Sequence, residues 1–307
     1  MVAPIPFSVE VYPARSSAAA LALGHSVHRL AQHGPSFVAV TSGADGSSAS
    51  DSADLVDYVS VSVEVPVLAH VTTWGKSRDE LDARVRELRD QGVRQVLAVR
   101  GDPPRVDPSA GSGDVTASDL VAIAHDVLAA DGTPFEIAVA AFPQGHPSGG
   151  GLERDLELLL SKQQAGATRA LTQVQFTADD YAGYVARARA YGITIPIVPG
   201  VLPVASAQRL RRVAELAGTS APAALEAELE AAATKDDALD IGVAHAVAVS
   251  RALLEAGAPS IHFYTLNLAE PVLRVLADLG SSTSTPSTSA SSITRDVAVA
   301  STERELV

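Results

Sequence analysis

The chain has 307 residues, 47% hydrophobic and 19% charged, with a net charge of −13 and no cysteine. Such a composition suits a globular protein with a large core and argues against wholesale disorder, while the acidic balance disfavours nucleic acid and anionic membranes, which need clustered Lys and Arg. Disulfides, thiolate metal sites and cysteine nucleophiles are excluded, and no apolar run of about 18 residues marks a membrane span or signal peptide, so a cytoplasmic location is expected.

In chain order, eight β-rich segments alternate with Ala-, Leu- and Arg-rich stretches of helical spacing. The predicted strands cover 6–12, 36–42, 67–73, 93–100, 135–142, 168–174, 194–200 and 261–266. The predicted helices cover 16–33, 49–60, 77–91, 117–130, 152–165, 178–191, 204–217 and 269–279. "SRDE" at 77–80 sets Ser77 three residues before Glu80, the spacing of a capping box, and "TASDL" at 116–120 repeats the device. Gly92, Gly166 and Gly192 each follow a helical run and precede a strand, where a left-handed turn is wanted. Residues 218–257, rich in Ala and Glu, predict two extra helices before the last strand. The pattern predicts a single (β/α)8 TIM barrel over 1–280, with a doubly wound sheet as the alternative, and a flexible Ser/Thr-rich tail over 281–307.

Barrel chemistry gathers at the C-terminal ends of strands. On the first strand Ser8, Glu10 and Tyr12 share one face and Phe7, Val9 and Val11 the other, which makes Glu10 a carboxylate near the rim of the barrel. A salt-bridged structural Glu is the competing reading. In "VLAVRGDPP", 96–104, Leu97 and Val99 form one face, Arg100 and Asp102 follow Val96 and Ala98 on the other, and two prolines stiffen the exit. An Asp before Pro also caps turns. Thr41, His70, Thr72 and Gln173 fall at strand ends. A single strand histidine is commonly a hydrogen-bonded core residue, yet the four together make a polar ring at one mouth.

Competing chemistries lack their residues. A Schiff-base aldolase needs a strand lysine, whereas Lys76, Lys162 and Lys235 lie in a loop, a helix and the insertion. Neither a His-x-His pair on the first strand nor HExxH is present for a metal site, and no GxGxxG follows the first strand.

The segments "SVEVYPARS", "AHVTTWGKSRDEL", "VLAVRGDPP", "AGATRALTQVQF", "PIVPGVLPV" and "HFYTLNLAE" occur in an order and spacing that resembles the methylenetetrahydrofolate reductase family, over roughly residues 6–279. The resemblance implies a barrel that reduces 5,10-methylenetetrahydrofolate to 5-methyltetrahydrofolate with NADH or NADPH, usually through FAD. It assigns Glu10 as the general acid that protonates N10 while the imidazolidine ring opens, kept protonated near neutral pH by burial. Asp102 corresponds to the carboxylate at the pterin and Gln173 to the amide that reads the pterin edge. Thr41, His70, Arg100, Gly101, Thr116, His146, Asp155 and Lys162 correspond to FAD contacts.

The departures point elsewhere. An Asn and an Arg that hold FAD on the fifth helix are Leu158 and Ser161 here, an aromatic on the seventh is Val213, a folate-binding Gln is Arg209, and the Arg after "HFYTLN" is Leu268. Losing two polar contacts to charged groups costs roughly 1 to 3 kcal/mol each. The resemblance therefore implies a flavin-independent variant of the kind associated with actinobacteria, in which the dihydronicotinamide lies where the isoalloxazine would and passes hydride directly. An FAD-dependent ping-pong reductase and a non-catalytic folate-binding barrel are the alternatives. "RLRR" at 209–212 either meets the glutamate tail of folate or forms a solvated helix face. The oligomeric state and the choice between NADH and NADPH have no signature in the chain.

Overall fold

The computed structural model describes residues 5–42, 49–101, 115–128, 132–146 and 149–281. Eight parallel strands close in sequence order into a barrel: β1 (Phe7–Val11), β2 (Val38–Val40), β3 (Val67–Thr72), β4 (Gln95–Val99), β5 (Glu136–Ala141), β6 (Arg169–Val174), β7 (Ile197–Val201) and β8 (Ile261–Tyr264). Helices α1 (Ser17–Ala31), α2 (Ala49–Ser62), α3 (Arg78–Asp90), α4 (Ala117–Asp126), α5 (Leu152–Gln164), α6 (Ala178–Ala190), α7 (Ala207–Ala217) and α10 (Ala269–Ser281) return between the strands. The insertion folds as α8 (Ala223–Ala231) and α9 (Lys235–Glu255), as its composition predicts. The expected tail lies outside the described residues from position 282 onward.

Strand alternation sorts the apolar residues into two layers. Phe7, Val9, Val11, Val38, Val40, Val96 and Ala98 pack outward against the helices, while Phe37, Ala39, Leu68, Leu97, Ala138, Leu171 and Val198 fill the lumen. A filled lumen is a packed core, so ligands have access only at its mouths. Ser77 with Glu80 and Thr116 with Asp119 form both predicted capping boxes, and Gly92, Gly166 and Gly192 take the expected positive φ.

β6 carries a bulge. Leu171 pairs with Val198 but Val174 pairs with Gly200, so one extra residue sits on β6. The Thr172 hydroxyl mends the ladder by accepting from Gly200 N at 3.1 Å, and the freed Thr172 carbonyl accepts from Tyr264 Oη at 2.9 Å. Gly200 has to be glycine here, because a Cβ would lie 2.5 Å from the Tyr264 ring. Gly242 on α9 is tighter still, 1.8 Å from Val204 O, which lets α9 press onto the segment leaving β7.

The face with Leu97 and Val99 is the lumen face, so the alternation that links Arg100 to Val96 and Ala98 turns it away from the lumen. Arg100 is exposed, with its guanidinium 5.6 Å from the Trp74 ring. Asp102 lies outside the described residues.

Candidate active site

The C-terminal mouth is built on β1, β3 and β8. Closure of the barrel pairs Ser8 with His262 and Glu10 with Tyr264, four side chains on the inner face of two strands that are distant in sequence. Glu10 Oε2 lies 3.4 Å from His262 Nε2 and 3.5 Å from His70 Nε2, with the Glu10 side chain 16% exposed. His262 is fully buried, and its Nδ1 is 2.8 Å from Ser8 Oγ. Phe37 stacks on its ring at 5.9 Å and Tyr264 meets it edge-on at 5.2 Å, so the imidazole is held on every side.

The electrostatics differ from the expectation of a carboxyl kept protonated by burial alone. Burial pushes Glu10 up, but the hydrogen bond from His262 and the nearby charges of His70 and His262 pull it down, and the net direction is below the usual carboxylate value. Burial lowers His70, against the opposing pull of Glu10. Tyr264 is raised well above its usual value by burial and by Glu10, which keeps it a neutral donor. The cluster is therefore a carboxylate poised between two imidazoles.

Several buried polar atoms at this mouth are unspent. Among the described residues Thr41 Oγ1, His70 Nε2 and Gln175 Oε1 have no hydrogen-bond partner; the 3.5 Å approach of His70 to Glu10 is an ion-pair distance without hydrogen-bond alignment. Buried donors and acceptors are nearly always paired, so atoms left open at a strand-end mouth are suited to a polar ligand. Gln175 also donates from Nε2 to the Gln173 carbonyl at 2.8 Å, beside the half-buried Gln173 side chain.

The remaining candidates divide. Gly101 has φ +80°, and a Cβ there would sit 3.0 Å from Thr72 Cβ, so the backbone leaves β4 through a turn that favours glycine. Thr116 is committed to the α4 cap, its hydroxyl donating to Asp119 Oδ2 at 2.7 Å. Asp155 accepts from His146 N at 2.5 Å, and Lys162 Nζ donates to the Ala140 carbonyl at 3.4 Å, its amine lowered by burial. Leu158 is 37% exposed, and Ser161 Oγ is hydrogen-bonded to Ser118 Oγ at 3.3 Å. On α7, Arg211 is tied to Glu226 and Glu230 and Arg212 to Glu215, whereas Arg209 is exposed and donates from its backbone N to Ser206 Oγ. Val213 packs on a satellite core and Leu268 is exposed.

Ser8, His262, Tyr264 and Gln175 join the site without having been singled out from the sequence. The alternation of "IHFYTL" places His262 and Tyr264 on one face, and in a closed barrel the last strand lies beside the first. Beside the lumen, a cavity of about 170 Å³ is lined by Ser42, Ser52, His70, Lys76, Glu80 and Arg84 together with Val40, Val56 and Val71, which places it among α2, α3 and the strand backs. Among the described residues no cluster suits a metal ion, and no helix is long and apolar enough to cross a membrane.

The family model for methylenetetrahydrofolate reductase matches residues 3–280. The 5,10-methylenetetrahydrofolate reductase of Escherichia coli (strain K12) is 32% identical over 276 residues, covering 89% of this chain and 90% of that one. The methylenetetrahydrofolate reductase (NADH) 1 of Arabidopsis thaliana is 31% identical over 287 residues, with 89% of this chain matching 48% of the plant protein. Among solved structures, a Clostridium thermocellum protein that binds two copies of 5-methyl-5,6,7,8-tetrahydrofolic acid superposes with a TM-score of 0.63 at 13% identity, covering 89% and 93% of the two chains. At that identity the similarity speaks to the fold.

Proposed function

Because this chain belongs to the methylenetetrahydrofolate reductase family of oxidoreductases, we propose that it reduces 5,10-methylenetetrahydrofolate to 5-methyltetrahydrofolate by direct hydride transfer from NADH, with Glu10 as the acid at N10. The observation that carries this reading is the carboxylate of Glu10, held at the strand-end mouth between His70 and His262 with an edge open to ligand. Opening the imidazolidine ring requires a proton on N10, and the bond that breaks leaves an iminium at N5 whose methylene accepts the hydride. A pterin docked over the mouth removes the remaining water from Glu10, a change that raises a carboxyl pKa toward the value a proton donor needs. Gln173, beside Gln175, reads the pterin edge, Asp102 stabilises its developing charge, and Arg209 meets the glutamate tail.

The absence of a flavin in this reading rests on α5. Where a flavin's polar groups need partners, Leu158 offers hydrocarbon, Ser161 bonds to Ser118 and Asp155 bonds to His146 N. The dihydronicotinamide donor supplies the hydride, and the unspent Thr41 and His70 atoms are the groups that would orient it. NADH is favoured over NADPH by the name of the plant relative.

Freshly purified protein tests the reading. The expected result is no flavin absorbance in the visible spectrum, together with NADH oxidation that depends on methylenetetrahydrofolate and needs no added flavin. A bound flavin, or activity only after adding one, contradicts the direct route; no turnover with either donor contradicts the reductase reading.

A further inference from the structure

We propose that Glu10 and His262 carry the reaction's proton as one unit, with His262 storing the proton that Glu10 hands to N10 and Ser8 fixing the imidazole ring; this rests on the reductase reading above. The geometry is that of a relay with a closed end. His262 Nε2 faces Glu10 Oε2 at 3.4 Å, its Nδ1 faces Ser8 Oγ at 2.8 Å, and Ser8 is 1% exposed. A proton on this ring therefore has one exit, through Glu10. The 3.4 Å gap is of the kind that catalytic hydrogen bonds close when ligand docks.

The surroundings select His262 over the other histidine. Facing the pair are Glu10 and Ser8 from β1, His70 from β3 and Tyr264 from β8, with Arg169 beneath, over the Phe37 ring and ion-paired to Glu136. Tyr264 Oη is committed to the Thr172 carbonyl, so Glu10 is the anion among these groups that meets the ring directly. His70 reaches the same Glu10 oxygen but without hydrogen-bond alignment, whereas both ring nitrogens of His262 are engaged.

The Nε2 proton of the His262 imidazolium moves to Glu10 Oε2, leaving a neutral ring whose Nδ1–H donates to Ser8 Oγ. The Glu10 O–H proton then passes to N10 as the N10–methylene bond breaks, its electron pair staying on N10. The hydride from C4 of the dihydronicotinamide reduces the N5 iminium to N-methyl. The pair has lost one proton and regains it from water at the open mouth once product leaves.

The test is the pH dependence of kcat for the wild type, His262→Gln and Ser8→Ala. Glutamine retains a hydrogen-bonding amide but stores no proton. In H262Q the alkaline limb is expected to move to lower pH, with kcat falling about tenfold or more near pH 8 and far less near pH 6, and KM for folate little changed. S8A should show the same displacement at smaller size. A mutant-to-wild-type ratio independent of pH, or a limb that moves to higher pH, overturns the proposal. Nitrogen-15 signals of the His262 ring give a readout independent of turnover: at one fixed pH the Nε2 signal should differ between the wild type and Glu10→Gln, and identical signals overturn the pair. If the wild type oxidises no NADH or NADPH with methylenetetrahydrofolate, the reductase reading fails while the ring signals still decide the pairing.

Discussion

The two ends of one lumen handle charge in opposite ways. At the N-terminal floor, Arg169 pairs with Glu136, and its guanidinium lies 5.2 Å from the Phe37 ring. At the C-terminal mouth, Glu10 sits between His70 and His262, and among the described residues Thr41, His70 and Gln175 each keep a buried atom without a hydrogen-bond partner. Phe37 touches both ends, carrying Arg169 on one side and stacking on His262 on the other. The contrast fits the proposed roles of the two ends: a paired charge secures packing, whereas unspent donors and acceptors suit a polar ligand.

Substitutions at the two ends should therefore separate chemistry from stability. The largest effect belongs to Glu10→Gln, which should lower kcat by roughly 10²- to 10⁴-fold, the range of a positioned general acid, while a denaturation curve and a folate-binding titration stay near wild type. Retained turnover would remove the acid role from the mouth. At the floor the pattern reverses: Arg169→Met should cost about 1 to 2 kcal/mol in urea unfolding and leave kcat within about twofold. If kcat falls with stability there, the two ends are coupled through Phe37 more tightly than proposed.

Acid unfolding sharpens the contrast. Glu10 has a lowered folded pKa, so it contributes stability at pH values above its unfolded value of 4.5, and that contribution is lost as pH falls through the lower folded value. The wild type should accordingly lose stability in acid more steeply than E10Q, and parallel profiles would show that the histidines do not hold the carboxylate down. The smallest effect is at the surface. Replacing Arg209 and Arg212 by Ala should raise KM a few-fold for polyglutamylated folate and less for the monoglutamate, within the modest energies of exposed ion pairs. Arg212 is already paired with Glu215, so Arg209 should dominate, and equal effects on both substrates would dismiss the contact.

Much of the frame is legible in the residue pattern, because each strand alternates and each helix start or stop carries its own local chemistry. The capping boxes at Ser77 and Thr116 and the left-handed glycines at 92, 166 and 192 depend only on neighbours a few residues away. The polar cluster at the mouth is legible where a polar residue breaks an apolar strand, as Glu10 and His70 do. What escapes is whatever closure creates. Ser8 and His262 are 254 residues apart and meet only because β8 pairs with β1. The direction of the Glu10 shift escapes for the same reason, since burial alone predicts a rise and the histidines that reverse it arrive from β3 and β8. Arg100 shows a second limit: continuing the β4 alternation past its last paired residue says which layer it follows, and that layer is the outer one.

The most direct test of the account follows the hydride itself. NADH carrying deuterium at the transferred C4 position is turned over with methylenetetrahydrofolate in ordinary water, and the product methyl group is examined by mass spectrometry. Direct transfer at the Glu10 mouth predicts that the deuterium is retained in 5-methyltetrahydrofolate, one atom per turnover. A methyl group with the label washed out to solvent, as happens when hydride rests on an exchangeable flavin nitrogen, would contradict it.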